Sequence, residues 1–245
     1  MGDQIILRKK KHLLVAWQQL SSPQITVAMA SLGFDWLVVD LEHTSITTQE
    51  AEAIFIAAAT YNCKPFARLT SADPYLARRC LDAGAVGLLV PVVESLKEFD
   101  EFAEHCFFPP TGKRGLGLTR SNLWGDNLES YFKDFKPIII AQIETIVGAK
   151  NINNIIKSKF LDGIMVGPYD LSASLNMPGK FNDPEFVKIK NAILKTAKKN
   201  NKLIGFHQVK PDLNELKNMQ KESYDFIAYG TDVVAMRYAL KGIQE

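Results

Sequence analysis

Cysteine is scarce in this chain. Cys63, Cys80 and Cys106 are the whole complement, and no two stand at C-x-x-C spacing. An odd, unspaced set excludes a disulfide framework and a thiolate-built zinc site, and it fits a reducing, cytoplasmic setting. Long hydrophobic runs are missing too. Nothing approaches the ~20 residues needed to cross a bilayer, so no membrane partner is expected. The opening, MGDQIILRKKKH, has no apolar stretch ahead of its charges, so no secretory leader is expected. Charge of one sign is also lacking. Twenty-nine Lys and Arg against 27 Asp and Glu leave a net charge of +2, with no surplus to hold a nucleic acid. The runs Lys9–Lys11 and Lys198-Lys199 read as solvated helix faces, and residues 3–12 as a polar lead-in with some helical character. No G-x-G-x-x-G follows a strand; GLGLTR after Arg114 matches poorly and has no helix pattern behind it.

What is present is an ordinary core-forming composition, 47% hydrophobic and 23% charged over 245 residues, enough for one α/β domain spanning 1–245. Short apolar runs alternate with helix-length segments. The strand readings are LLVAWQ (13–18), WLVVDLEH (36–43), PFARL (65–69), VGLLVPVV (86–93), IIIAQIE (138–144), LDGIMVGPYD (161–170), KLIGFHQV (202–209) and DFIAYG (225–230). Each is followed by a helical pattern, several opened by Ser, Thr or Asp with Pro next, as at Ser22-Pro23 and Asp73-Pro74. Residues 107–137 break the rhythm with FFPPTGKRGLGLTRSNLWGDN, a long polar, Gly- and Pro-containing stretch of the kind that is functional or mobile. Eight strand–helix units in about 230 residues predict a parallel sheet closed into a (β/α)8 TIM barrel.

In such a barrel the chemistry gathers at the C-terminal strand ends. The predicted ends hold Asp40, Glu42 and His43 on strand two, Arg68 on strand three, Gln142 and Glu144 on strand five, and Gly167, Tyr169 and Asp170 on strand six. Glu144 and Asp170 close the two strands of a single β–α–β unit, so one divalent cation can bridge them. The bland alternatives stay open here. On that reading Glu144 simply opens a helix and Asp170 caps one, His43 caps a loop, and Arg68 pairs with an acid for structure alone. Asp40 reads as a residue that orients its neighbours rather than as a ligand.

The segments GFDWLVVDLEHTS, PFARLTSADP, LDAGAVGLLVPVVES, RGLGLTRSNLWG, AQIET and LDGIMVGPYDLSASL, in this order, resemble the HpcH/HpaI family of metal-dependent class II pyruvate aldolases. The resemblance spans about residues 12–240. It implies cleavage of a 4-hydroxy-2-oxo acid to pyruvate and an aldehyde, and the reverse addition, with Mg²⁺, Mn²⁺ or Co²⁺. It implies Glu144 and Asp170 as metal ligands, His43 as the acid/base and Arg68 as the 2-oxo acid binder. Gln142, Gly167 and the neighbouring Tyr169 would line the substrate site. Asp40 and Asp82 would belong to the histidine and water network, with Asp82 arriving from a neighbouring subunit. It further implies a hexamer with the last helix swapped between paired subunits. That helix, VVAMRYALKGIQE, has apolar residues at 233, 234, 236, 239, 240 and 243, a pattern that packing on its own barrel would satisfy equally well.

Two stretches depart from the family pattern, GFHQVKPD with His207 and Lys210, and Asn122-Leu123 in TRSNLWG; both fall where the aldehyde half of the substrate is expected. Two other functions compete. A Schiff-base lyase needs a desolvated lysine at a strand end; Lys64 and Lys202 lie at strand starts, which leaves Lys210. A non-catalytic barrel that binds 2-oxo acids would not need the full set of acids, His and Arg.

Overall fold

The computed structural model describes residues 12–222 and 224–243. The polar lead-in, apart from His12, and the Lys9–Lys11 run lie outside them. In chain order the elements are β1 (Leu13–Gln18), α1 (Pro23–Ala30), β2 (Trp36–Asp40), α2 (Thr48–Ala59), β3 (Lys64–Arg68), α3 (Pro74–Asp82), β4 (Gly87–Val90), α4 (Leu96–Ala103), α5 (Leu128–Asp134), β5 (Ile138–Ile143), α6 (Ile146–Ile155), β6 (Gly163–Val166), α7 (Pro168–Ser174), α8 (Pro184–Lys199), β7 (Leu203–Gln208), α9 (Leu213–Met219), β8 (Phe226–Tyr229) and α10 (Asp232–Leu240). Short 3-10 turns cover Glu104–Cys106 and Arg120–Gly125.

The helices start where side-chain oxygens can take their first N–H groups. Ser22, Asp73 and Asp183 do so with Pro next in line, and Thr47 forms a reciprocal capping box with Glu50. The eight strands pair in parallel, each with its sequence neighbours, and β8 closes onto β1. Alternation along the strands makes two cores. Leu13, Val15, Trp17, Trp36, Val38, Phe66, Leu89, Ile140, Met165, Phe226 and Ala228 fill the barrel interior, while the larger core lies between barrel and helices. Trp36 stacks on Phe66 at 4.4 Å. These rings fit because Gly87 and Gly205 face Phe66 and Phe226, where a Cβ would collide with the ring.

The structure differs from the sequence reading in two places that matter. Strand six ends at Val166, and Asp170 sits in the first turn of α7 rather than on the strand. Residues 107–137 join a helix to a strand, so they lie at the N-terminal end of the barrel, away from the strand ends that carry Glu144. They are also organised. Asn122 Oδ1 accepts from Thr119 and Gly125, its amide donates to Gly117, and Arg114 is buried against Phe108, Tyr131 and Phe135. Asn122 and Leu123 therefore do not flank their own chain's strand ends. No helix among the described residues is long and apolar enough to cross a membrane.

Candidate active site

Register builds the site. Asp40 and Arg68 are paired residues of β2 and β3, and both point into the mouth of the barrel. The Asp40 carboxylate is wholly buried. Arg68 Nε donates to its Oδ1 at 3.0 Å and Arg68 Nη2 to its Oδ2 at 2.6 Å. The same carboxylate accepts from the backbone N–H groups of Glu42 and His43 and, at 3.4 Å, from Trp17 Nε1 and Gln19 Nε2. Burial alone would push this carboxyl up; the Arg68 bonds and charge outweigh it and hold it below its ordinary value. Its oxygens are engaged, so Asp40 orients Arg68 and the turn bearing His43, and has little left to offer a cation.

Arg68 also reaches Glu42 through Nη1 at 3.1 Å. A guanidinium has five N–H donors. Three are used by Asp40 and Glu42, which leaves one on each terminal nitrogen, a spacing that suits a carboxylate. His43 is exposed, with Nε2 3.8 Å from Glu42 Oε2. Burial raises the Glu42 carboxyl despite Arg68.

Glu144 follows β5 and is buried. It does not open the next helix, since Thr145 is the cap, taking the N–H of Gly148. Instead Glu144 Oε1 accepts the Val92 N–H at 2.7 Å and Oε2 accepts Gln142 Nε2 at 2.9 Å. Val92 makes that bond from φ 51°, a conformation costly for a β-branched residue. Gly167 faces the same carboxylate so closely that any side chain there would strike it. Burial, aided by the charges of Asp170 and Glu42, pushes the Glu144 carboxyl up to about 7. Asp170 is exposed in the first turn of α7, and Gly167, in the cap position just before that helix, offers no side-chain cap. Tyr169 is half exposed and packs edge-on against Phe181 at 4.9 Å.

The expected set divides. Asp40, His43, Arg68, Gln142, Glu144, Gly167, Tyr169 and Asp170 lie at or just beyond one end of the barrel. Asp82 does not join them: at the end of α3 it faces the opposite end of the barrel and binds buried Arg114 at 2.7 Å. Only a second copy could bring it to a site. Glu42 was expected at a strand end, but not as a partner of Arg68. Two participants were not singled out from the sequence. Gln19 reaches Asp40. Trp17, the last inward residue of β1, holds the Arg68 guanidinium carbon 4.8 Å from its ring centroid.

These residues also fit a cation. The donors are all oxygen, which suits a Mg²⁺- or Mn²⁺-class ion bound through one or two carboxylates and water. Gln142 Oε1 is buried with no hydrogen-bond partner, an acceptor left for something outside the chain. Mutual repulsion among Glu144, Asp170 and Glu42 is what a cation relieves. Among the described residues, no group of three or more His, Cys, Asp or Glu side chains is arranged to hold a metal by itself, so water or substrate oxygens would complete the shell. No strand ends in lysine among the described residues, and Lys210 is exposed in the loop beyond β7; the partly desolvated Lys202 lies at the start of β7, the opposite end of the barrel, so no desolvated amine stands at the strand ends for a Schiff base.

Residues 13–239 match the model of the HpcH/HpaI aldolase/citrate lyase family. The chain belongs to that family. The 2-keto-3-deoxy-L-rhamnonate aldolases of Shigella sonnei (strain Ss046) and Escherichia coli (strain K12) are each 29% identical over 238 residues, covering 96% of this chain and 88% of those proteins. The crystal structure of a HpcH/HpaI aldolase/citrate lyase family protein from Burkholderia cenocepacia J2315 superposes with a TM-score of 0.89, at 26% identity, over 100% of this chain and 99% of that one. An HpcH/HpaI aldolase from Desulfitobacterium hafniense DCB-2, at 23% identity and TM-score 0.88, shares the fold. As an HpcH/HpaI member the chain is an enzyme of the class II aldolase/lyase type.

Proposed function

We propose that this protein is a single-domain, cytoplasmic, divalent-metal-dependent aldolase that splits a 4-hydroxy-2-oxo acid into pyruvate and an aldehyde and catalyses the reverse addition. The observation that carries this reading is the pairing, in one barrel mouth, of buried Glu144 with an arginine that keeps two unengaged N–H donors. Glu144 and Asp170 would hold the cation. When bound, it supplies the positive charge that polarises the ketone and stabilises the developing enolate.

The chain's own residues do the rest. Arg68, clamped by Asp40 and Glu42, presents its remaining donors to the 2-oxo acid. His43, open to solvent beside Glu42, moves the proton of the 4-hydroxyl. Gln142 fixes Glu144 and offers Oε1 inward. Gly167 keeps the floor of the site clear of side chains. The names of the curated relatives point to a 2-keto-3-deoxy sugar acid as the first substrate to try.

The assembly reading rests on α10. It buries none of its residues, and Met236, Tyr238, Leu240 and Ile243 are all about half exposed or more. Packing on its own barrel does not use this apolar face, so we propose that a second copy covers it, in a hexamer of helix-swapped pairs that also carries Asp82 to a neighbouring site.

The test is cleavage of a 4-hydroxy-2-oxo acid, together with exchange of pyruvate methyl protons, before and after EDTA. Both activities should vanish on chelation and return with Mg²⁺, Mn²⁺ or Co²⁺. Undiminished exchange in metal-free protein would sink the proposal. Light scattering at micromolar concentration tests the assembly; a monomer would end it.

A further inference from the structure

Alternation along β7 turns Leu203, Gly205 and His207 into the barrel. Gly205 confirms the direction, since a Cβ there would strike Phe226 of the inner core. His207 thus reaches the mouth at the level of Trp17, and its ring stacks on the indole with centroids 4.3 Å apart and planes at 27°. That indole is the one packed against Arg68.

The tautomer follows from one contact. His207 Nε2 is 3.1 Å from the carbonyl oxygen of Gly230. A carbonyl only accepts, so Nε2 carries the proton and Nδ1 is left as a lone-pair acceptor. Among the described residues no hydrogen bond reaches Nδ1. Burial, with the Arg68 charge nearby, pushes the ring's pKa down to about 4, so the acceptor persists at neutral pH. It is an uncharged acceptor at the mouth, set apart from Gln142 Oε1, which lies beside Glu144 on β5, and from the carboxylates and the Arg68 cation.

We propose that His207 is a specificity residue, whose Nδ1 accepts a hydrogen bond from a hydroxyl on the substrate chain beyond the 2-oxo acid. This rests on the aldolase reading above. A carboxylate or phosphate tail has no proton to give at this position. An ammonium tail would be repelled by Arg68. An alkyl tail would cover Nδ1 and leave it unpaired, the situation by which a site built for a hydroxyl rejects its deoxy analogue. His207 would thus favour, among 2-oxo acids, the hydroxylated chains already named as the first substrates to try.

The rival role for His207 is mechanical, bracing Trp17 and through it Arg68. The experiment separates the two. Pyruvate is condensed with glycolaldehyde and with acetaldehyde, which differ by one hydroxyl, using wild-type protein, His207→Phe and His207→Leu. Phenylalanine keeps a ring against Trp17 but removes the acceptor. The wild-type preference for glycolaldehyde in kcat/KM should fall by roughly 10–100-fold in both variants. A ratio that stays within about twofold of wild type, with KM for pyruvate and methyl-proton exchange degraded alike for both variants, makes His207 a brace and overturns the proposal. Wild-type protein that condenses neither aldehyde and exchanges no pyruvate protons counts against the aldolase reading itself. A second arm needs no variant. In wild-type protein labelled with ¹⁵N-histidine and loaded with Mg²⁺, 2-keto-3-deoxygluconate should shift the His207 Nδ1 resonance upfield and 2-oxohexanoate should not. Equal response to both, or to neither, overturns the proposal whatever the turnover.

Discussion

Asp40→Ala tests the clamp at its centre. The substitution strips a wholly buried carboxylate that accepts two bonds from Arg68, at 3.0 and 2.6 Å, and the N–H groups of Glu42 and His43, at 3.1 and 3.2 Å. Breaking a buried pair from one side typically costs about 3–5 kcal/mol. Two orphaned backbone donors add on the order of 1 kcal/mol each if water cannot reach them. Glu42 still faces Arg68 at 3.1 Å and lowers the total, so the net loss should be about 3–5 kcal/mol. At about 2–4 °C per kcal/mol for a chain of this size, Tm should drop by roughly 6–20 °C. The assay is urea unfolding of the metal-free protein, run as a double-mutant cycle with Arg68→Met. A coupling of about 2 kcal/mol or more is expected between the two sites. Asp40 lies below its ordinary carboxyl pKa of 3.8 when folded, so its contribution is complete above that value and is lost as pH falls beneath it. The loss in Asp40→Ala should therefore be the same at pH 6 and pH 8. A loss under about 1 kcal/mol, or a coupling near zero, would refute the clamp and leave the Arg68 geometry unexplained.

Three further outcomes follow from the same geometry. His207 should make stability pH-dependent: its folded pKa of about 4 lies below the ordinary 6.5, so the unfolded chain binds the extra proton and stability is lost as pH falls from 6.5 towards 4, by about 1–3 kcal/mol; His207→Phe should flatten that slope in denaturant titrations, and an unchanged slope would contradict the assignment. Val92→Gly should relieve the φ 51° strain at an exposed side chain and raise stability by up to about 1 kcal/mol, whereas a loss beyond about 1 kcal/mol in thermal unfolding would mean that the side chain packs usefully. Glu144→Gln should remove most Mn²⁺ binding measured by calorimetry while the barrel still unfolds cooperatively, and wild-type affinity in that variant would dismiss Glu144 as a ligand.

The fold was legible because its signal is repetitive. Every strand from LLVAWQ to DFIAYG begins within two residues of its expected start, while WLVVDLEH, VGLLVPVV and LDGIMVGPYD end three to four residues early; a parallel strand buried on both faces is continuously apolar. The errors sit where that signal fades. PYD continues an apolar run, yet Pro168 sets the φ of a first helical turn, so Asp170 left the strand for α7. The 107–137 segment reads as irregular because its order comes from contacts that have no period: the Asn122 amide threading its own loop, and the Arg114 guanidinium set among Phe108, Tyr131 and Phe135. Leu123 and Trp124, at φ 54° and 51°, belong to no sequence rule for turns, which would place Gly or Asn there.

The site was legible by residue type and only partly by arrangement. Position at a strand end is a one-dimensional fact, and it found Asp40, Arg68 and Glu144. Which of two adjacent ends meet, and through which atoms, depends on register and on closure of the ring, neither of which the sequence carries. That is why Glu42 was visible as an acid at a strand end but not as the second partner of Arg68. Trp17 shows the limit more sharply. As the apolar end of LLVAWQ it reads as core, and it is core, 2% exposed; its function lies in what closure sets against its ring, Arg68 from β3 and His207 from β7. Asp82 shows the limit in the other direction, because the order of elements puts the end of α3 at the far end of the barrel from Glu144. A role for Asp82 at the site therefore requires a second chain, which in the proposed assembly would dock on the exposed apolar side chains of α10.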